Sequence, residues 1–191
     1  MHKNNILTIG LAVAMVVAAG VLIWFFGFEK SNTKGQAITY SKFTSDIGFE
    51  AEYPNWQKLN IANPEDGMPG DLATKENLKI LLYVTNGAAV VQISGRAFDP
   101  KSAFKDNIAA MVKNQKDSVK DLLIWRLQTG NNTSLLEATS MLDGIKMHTI
   151  SKAFDMGNGK IYSIAFITAD NNFKALKGIA ERVIYSAKVW K

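Results

Sequence analysis

Residues 6–28 (ILTIGLAVAMVVAAGVLIWFFGF) form an unbroken apolar run without charge or proline, in which Thr8 is the only clearly polar residue. At about 1.5 Å per residue a helix of that length reaches about 34 Å, enough to cross a hydrocarbon core of about 30 Å. A cleaved secretory segment has a shorter apolar region, about 7–15 residues, and ends at small residues. Here the small residues Ala18, Ala19 and Gly20 are followed by six more apolar residues, so cleavage would fall within the run. With no cysteine for lipid attachment, the pattern predicts an uncleaved transmembrane signal anchor, with Trp24, Phe25, Phe26 and Phe28 at its outer interface. Residues 1–5 become a cytoplasmic tail, 29–36 a short polar linker, and 37–191 a single extracytoplasmic domain.

Beyond the linker the period changes from helix to strand. Phe49, Ala51 and Tyr53 alternate with Glu50 and Glu52, and residues 37–40 precede them, so a hairpin is expected around Ser45 and Asp46. Residues 60–77 hold two prolines and two glycines without an apolar period, which marks a long surface loop. Residues 78–84 (LKILLYV) are nearly all apolar, as in a central strand, and Asn86-Gly87 turns them into a second strand over 88–98. Asp99-Pro100 predicts a helix start, with Phe104, Ile108 and Met111 as the buried stripe and Val112 at its edge. Strands follow over 122–128, 135–142, 145–156 and 160–168, the last apolar on both faces and therefore central. A final helix capped by Asp170 buries Phe173, Leu176, Ala180, Val183 and Ile184, ahead of an apolar tail at Val189 and Trp190. The expected architecture is α/β in the α+β sense: a three-layer α/β/α sandwich around a mainly antiparallel sheet, preceded by the transmembrane helix.

The body has the size of one domain in a chain of 191 residues. Its net charge of +5 comes almost wholly from dispersed lysine, with only Arg96, Arg126 and Arg182 as arginines. That distribution lacks the clustered basic residues of a nucleic-acid binder, so no nucleic-acid partner is expected. An anionic surface or another envelope protein suits it better. On the first helix Lys101, Lys105, Lys113 and Lys116 occupy one sector and form a candidate contact for anionic headgroups. The absence of cysteine removes disulfides, thiolate metal sites and thiol nucleophiles.

Gly48-Phe49-x-x-x-Tyr53-Pro54-x-Trp56 resembles the opening strand of PsbP-like and Mog1-like superfamily domains, and the order of elements over 37–191 is similar to theirs. The resemblance implies an antiparallel sheet between helices. It also implies a mostly non-catalytic group whose members bind or assemble other proteins: a photosystem II extrinsic subunit, a Ran binder, and membrane-attached bacterial proteins of the kind this anchor fits. Gly48, Phe49, Tyr53, Pro54 and Trp56 carry over as a packing motif, and no photosystem-binding or Ran-binding residue is matched.

Catalytic candidates are few. His148, the only histidine beyond residue 2, has no cysteine or second histidine to complete a zinc site and reads as structural. Neither a serine-hydrolase elbow nor a phosphate-binding glycine loop occurs. Glu50 and Glu52 share one strand face about 7 Å apart, the separation of a carboxylate pair, although alternation places them on the polar side. Glu65, Asp66, Asp71 and Glu76 lie close in sequence without calcium-loop spacing. Asn131 and Asn132 match the glycosylation pattern, which marks an exposed turn. No cofactor and no metal site are expected, and the chain reads as a non-catalytic binding or accessory domain at the membrane. The alternative is an enzyme acting on envelope polymers through Glu50, Glu52 or the loop carboxylates. A pilin-like subunit would need a glutamate just inside the apolar helix, and none is there.

The anchor predicts that the full-length protein stays in carbonate-washed membranes with its amino-terminal run intact. Recovery of a mature chain beginning after Gly20, or release by carbonate, would refute it.

Overall fold

The computed structural model describes residues 37–59, 78–98, 100–157 and 159–190. The apolar run 6–28, the linker 29–36, the loop 60–77 with its four carboxylates, and Asp99 lie outside the described residues. None of the described helices is long and apolar enough to cross a membrane.

The chain forms strands β1 (Tyr40–Thr44), β2 (Phe49–Pro54), β3 (Gln57–Lys58), β4 (Leu78–Thr85) and β5 (Ala89–Ala97), then helix α1 (Phe104–Ser118). Strands β6 (Leu123–Thr129), β7 (Thr133–Leu142), β8 (Ile145–Gly157) and β9 (Lys160–Ala169) follow, then helix α2 (Asp170–Ser186) and strand β10 (Lys188–Val189). The fold is α+β, and every strand pairing is antiparallel. In place of the expected single sheet there are two: a three-stranded sheet ordered β1-β2-β10, and a seven-stranded sheet ordered β3-β4-β5-β9-β8-β7-β6. The reason lies in β2. Its hydrogen-bonding edges are taken by β1 and β10, while Phe49, Ala51 and Tyr53 present an apolar row that packs onto a face of the larger sheet.

Strand β9 is central, as its two apolar faces require, whereas β4 lies next to the short edge strand β3. On one face of the large sheet Ile150, Phe154, Ile164 and Phe166 meet the β2 row and Ala180, Val183 and Ile184 of α2 in the main core. On the other, Ala153 and Ile161 meet Phe104 and Ile108 of α1, while Tyr83, Val90, Met147 and Ile167 form a third cluster. Burial pushes the Tyr83 hydroxyl well above the usual phenol range. The β7–β8 turn takes Asp143 at φ 47° and Gly144 at φ 82°, the left-handed pair that a two-residue hairpin demands.

Phe49 is fully buried and meets Phe43, Phe154 and Tyr162 edge to face, with centroids 6.2, 5.5 and 5.7 Å apart. Gly48 lets the chain reach it. Its φ is +88°, a Cβ there would collide with the Trp190 carbonyl, and its own carbonyl accepts the Trp190 amide at 2.9 Å. Trp56 is only half-buried, 6.2 Å from Phe166. Phe49→Ala should therefore cost about 3–5 kcal/mol in denaturant unfolding, and Trp56→Ala less. An unfolding midpoint for Phe49→Ala equal to that of the parent would show that this contact does not hold the sheets together.

Candidate functional site

The candidate site lies on the α2 face of the large sheet, where β6, β7 and β8 meet the start of α2. Antiparallel register sets Thr139 opposite His148 and Arg126 opposite Glu137, so these side chains share one face. The His148 side chain is 9% exposed. Its Nδ1 lies 3.0 Å from Asp170 Oδ1, its Nε2 lies 3.1 Å from Glu137 Oε1, and its ring stacks on Phe173 at 3.5 Å and 5°. With both nitrogens protonated the ring donates to both carboxylates, whereas a neutral ring donates to one.

Asp170 was expected to cap α2. Instead Ala169 stands at the cap position without a side-chain bond, and the Asp170 carboxylate turns back to His148 and to Lys146 Nζ at 2.9 Å. Hydrogen bonds from Lys146, then His148, hold that carboxyl below its ordinary range. A chain of polar contacts thus runs Lys146, Asp170, His148, Glu137, Arg126, the last step a longer 3.8 Å.

Beside this chain lies an exposed aromatic surface. The register of β6 slips between Ile124 and Arg126, a bulge that leaves Trp125 as the extra residue and re-aims its ring. Trp125 is 60% exposed, Tyr185 of α2 56% and Leu123 52%. Neither aromatic ring is loose: Trp125 Nε1 donates to Thr139 Oγ1 at 3.3 Å, and Arg126 Nη2 donates to the Tyr185 hydroxyl at 3.1 Å. Both nitrogens of His148 face carboxylates and one ring face is covered by Phe173, so the imidazole braces the surface rather than presenting itself to a substrate. Among the described residues no group of three metal-ligating side chains has the geometry to hold an ion.

The predicted site residues are dispersed. Lys105, Lys113 and Lys116 are exposed on α1, but the helix starts at Phe104 behind Ala103, so Lys101 sits in the preceding turn rather than in the helical sector. Pro100 to Ser102 take up turn and bend instead of the first helical turn. Gln115 joins the buried face of α1, where the helix and sheet leave a crevice floored by Ser134, Ser151 and Ser163. Glu50 pairs with Lys42 at 2.6 Å and Lys188 at 3.0 Å, bonds that keep its carboxyl below the ordinary range, Lys42 having the larger effect. Glu52 pairs with Arg182 at 2.8 Å, whose guanidinium stacks on Tyr40 at 3.8 Å. Gly48, Phe49, Tyr53, Pro54 and Trp56 stay together at the join between the sheets. Asn131 and Asn132 are exposed at the β6–β7 turn.

Sequence reasoning missed Trp125, Arg126, Tyr185, Glu137 and Asp170 as a group, because they come from β6, β7 and α2 and meet only through strand pairing and helix docking. One local signal existed: residues 123–127 (LIWRL) place large apolar side chains on both faces around a single charge, which is unusual for an edge strand.

No family model and no curated protein matches the chain. Among solved structures, cyanobacterial PsbP (CyanoP) from Synechocystis sp. PCC 6803 is similar at 13% identity and a TM-score of 0.56, covering 86% of this chain and 100% of that one. The Ran-binding protein Mog1p of Saccharomyces cerevisiae is similar at 5% identity and a TM-score of 0.50, covering 80% and 96%. The fold is therefore PsbP/Mog1-like.

The depressed carboxyls of Glu50 and Asp170 set a pH dependence. A carboxyl whose folded pKa lies below its unfolded value of about 4 stabilises the fold above that value and loses the contribution as pH falls through the folded pKa. Unfolding midpoints should therefore fall progressively below about pH 4, and Glu50→Gln or Asp170→Asn should flatten the slope. Equal slopes for parent and both variants would mean that these ion pairs do not contribute.

Proposed function

We propose that this chain, with its PsbP/Mog1-like fold, is a membrane-tethered extracytoplasmic domain that binds a protein partner as an accessory component and performs no chemistry of its own. The reading is carried by the exposed Trp125–Tyr185 surface, whose rings are held by hydrogen bonds before any partner arrives. Trp, Tyr and Arg are the residues that most often dominate binding energy, and rings fixed in advance lose little freedom on docking. The carboxylates of the enzymatic alternative, Glu50 and Glu52, are each engaged by lysine or arginine, which favours the binding reading. The tether comes from residues 6–28, and a protein partner accords with the Ran-binding activity named for Mog1p. Lys105, Lys113 and Lys116 lie across the large sheet from the aromatic surface, on the helix that covers its other face. They can meet anionic headgroups while the aromatic surface points elsewhere.

Photocrosslinking tests this directly. A benzophenone amino acid replacing Trp125 in the full chain should yield a discrete protein adduct in the membranes of the source cells, and one replacing Lys113 should not yield that adduct. No adduct at position 125 above the unirradiated control would overturn the assignment.

A further inference from the structure

The aromatic surface ends at an open sheet edge. Among the described residues β6 pairs only with β7 and terminates the seven-stranded sheet. The opposite edge, β3, is two residues long, the kind of short edge that resists pairing. Strand β6 is seven residues long, with no proline and a single charge, Arg126. Its bulge interrupts the edge at Trp125 and leaves the stretch from Arg126 to Thr129 as a regular ladder against Glu137 to Ser134, its outer side free of partners among the described residues.

Resting on the binding reading above, we infer that this edge receives an extended segment of a partner protein, added antiparallel as a further strand, with an Asp or Glu side chain facing Arg126 and an apolar side chain over Trp125. The charge requirement follows from Arg126. One oxygen of Glu137 is taken by His148 Nε2 at 3.1 Å, and the other stays 3.8 Å from the guanidinium. The close hydrogen bond of Arg126 is to the neutral Tyr185 hydroxyl, and its buried Nε has no acceptor. A guanidinium has five donors in a planar fork that matches a carboxylate, and the Arg126 side chain is 38% exposed, so its outer nitrogens have room for one more anion. Alternation decides the rest. A strand residue opposite Arg126 shares the α2 face, and the residue two places along it reaches the Trp125 ring, while intervening side chains fall beside Leu127 on the α1 face. A second copy of this chain fits less well, because β6 contains no acidic residue and self-pairing would bring Arg126 no carboxylate beyond the distant Glu137. Main-chain bonds from the edge would supply affinity and the Arg126–carboxylate pair would supply selection.

The test uses the full chain in mild detergent and three short peptides of alternating Thr and Val that differ only in a central Glu, Gln or Lys. Affinity is read by titration, and location by hydrogen exchange of the amides from Leu123 to Thr129. The Glu peptide should bind at least about tenfold tighter than the Lys peptide and slow exchange of β6 alone. Arg126→Gln should abolish the preference, Arg126→Glu should invert it towards Lys, and Trp125→Ala should weaken all three peptides without shifting the melting temperature. Should Arg126→Glu fail to fold, the Arg126→Gln result decides. Equal binding of the three peptides, binding of none, protection outside β6, or a charge preference that survives Arg126→Gln overturns the inference. So does protection of β6 that rises with protein concentration in the absence of peptide, which would assign the edge to self-association. A photoadduct at position 125 combined with no charge preference discards this occupant while leaving the binding function standing, whereas absence of both removes the two together.

Discussion

Packing around Phe49 is the constraint on which the rest of the structure depends. The ring is fully buried and touches Phe43 within the small sheet and Phe154 and Tyr162 from the large one. It therefore joins two sheets that share no strand. The carboxy-terminal end of the chain closes on the same point, since β10 pairs with β2 and the Trp190 amide bonds to the Gly48 carbonyl. A side chain at position 48 would displace that closure. Ala180, Val183 and Ile184 complete the enclosure from α2, so the position of α2, and with it Tyr185 and Asp170, is set by the same cluster.

From that anchorage the polar chemistry divides into two populations. On the small sheet the Arg182–Glu52 pair is largely exposed and contributes little to net stability, whereas Glu50 is only 11% exposed between Lys42 and Lys188. Lys152, shielded by the packing between β8 and the end of α2, donates to the Ala187 carbonyl at 3.0 Å, and its burial lowers its pKa. At the other end His148 joins three elements at once: Glu137 from β7, its own strand β8, and Asp170 with Phe173 from α2. That clamp fixes the distance between the β6 edge and α2, so that Arg126 can reach Tyr185. The exposed aromatic surface is thus an outcome of polar bracing beneath it, which holds Trp125 and Tyr185 in place.

Local sequence alone determined much of the chain. The alternation of Phe49, Ala51 and Tyr53 against Glu50 and Glu52 specifies a strand with its apolar row on one face, although Glu50 on the other is buried too; Asp143-Gly144 specifies a tight hairpin, the two apolar faces over 160–168 a central strand, and the spacing of Ala180, Val183 and Ile184 the buried side of a helix. Each depends on backbone period or turn geometry, which neighbours in sequence set by themselves. Gly48, Phe49, Tyr53, Pro54 and Trp56 were legible as a packing motif only through their resemblance to PsbP-like and Mog1-like domains.

What only the tertiary structure decided involves contacts between residues far apart in sequence. Strand β2 belongs to a second sheet because β1 and β10 occupy its edges, and nothing in its own residues distinguishes that from a place in the large sheet. The helix expected from Asp99-Pro100 begins at Phe104, and Asp170 leaves its cap to reach a histidine 22 positions earlier, where a tertiary partner outweighs a local capping preference worth about 1 kcal/mol. Trp125, Arg126, Glu137, His148, Asp170 and Tyr185 become one site only when three antiparallel strands set their register and α2 docks on Phe49's core. A side chain's period is written in its neighbours along the chain, but its partners are written in the fold.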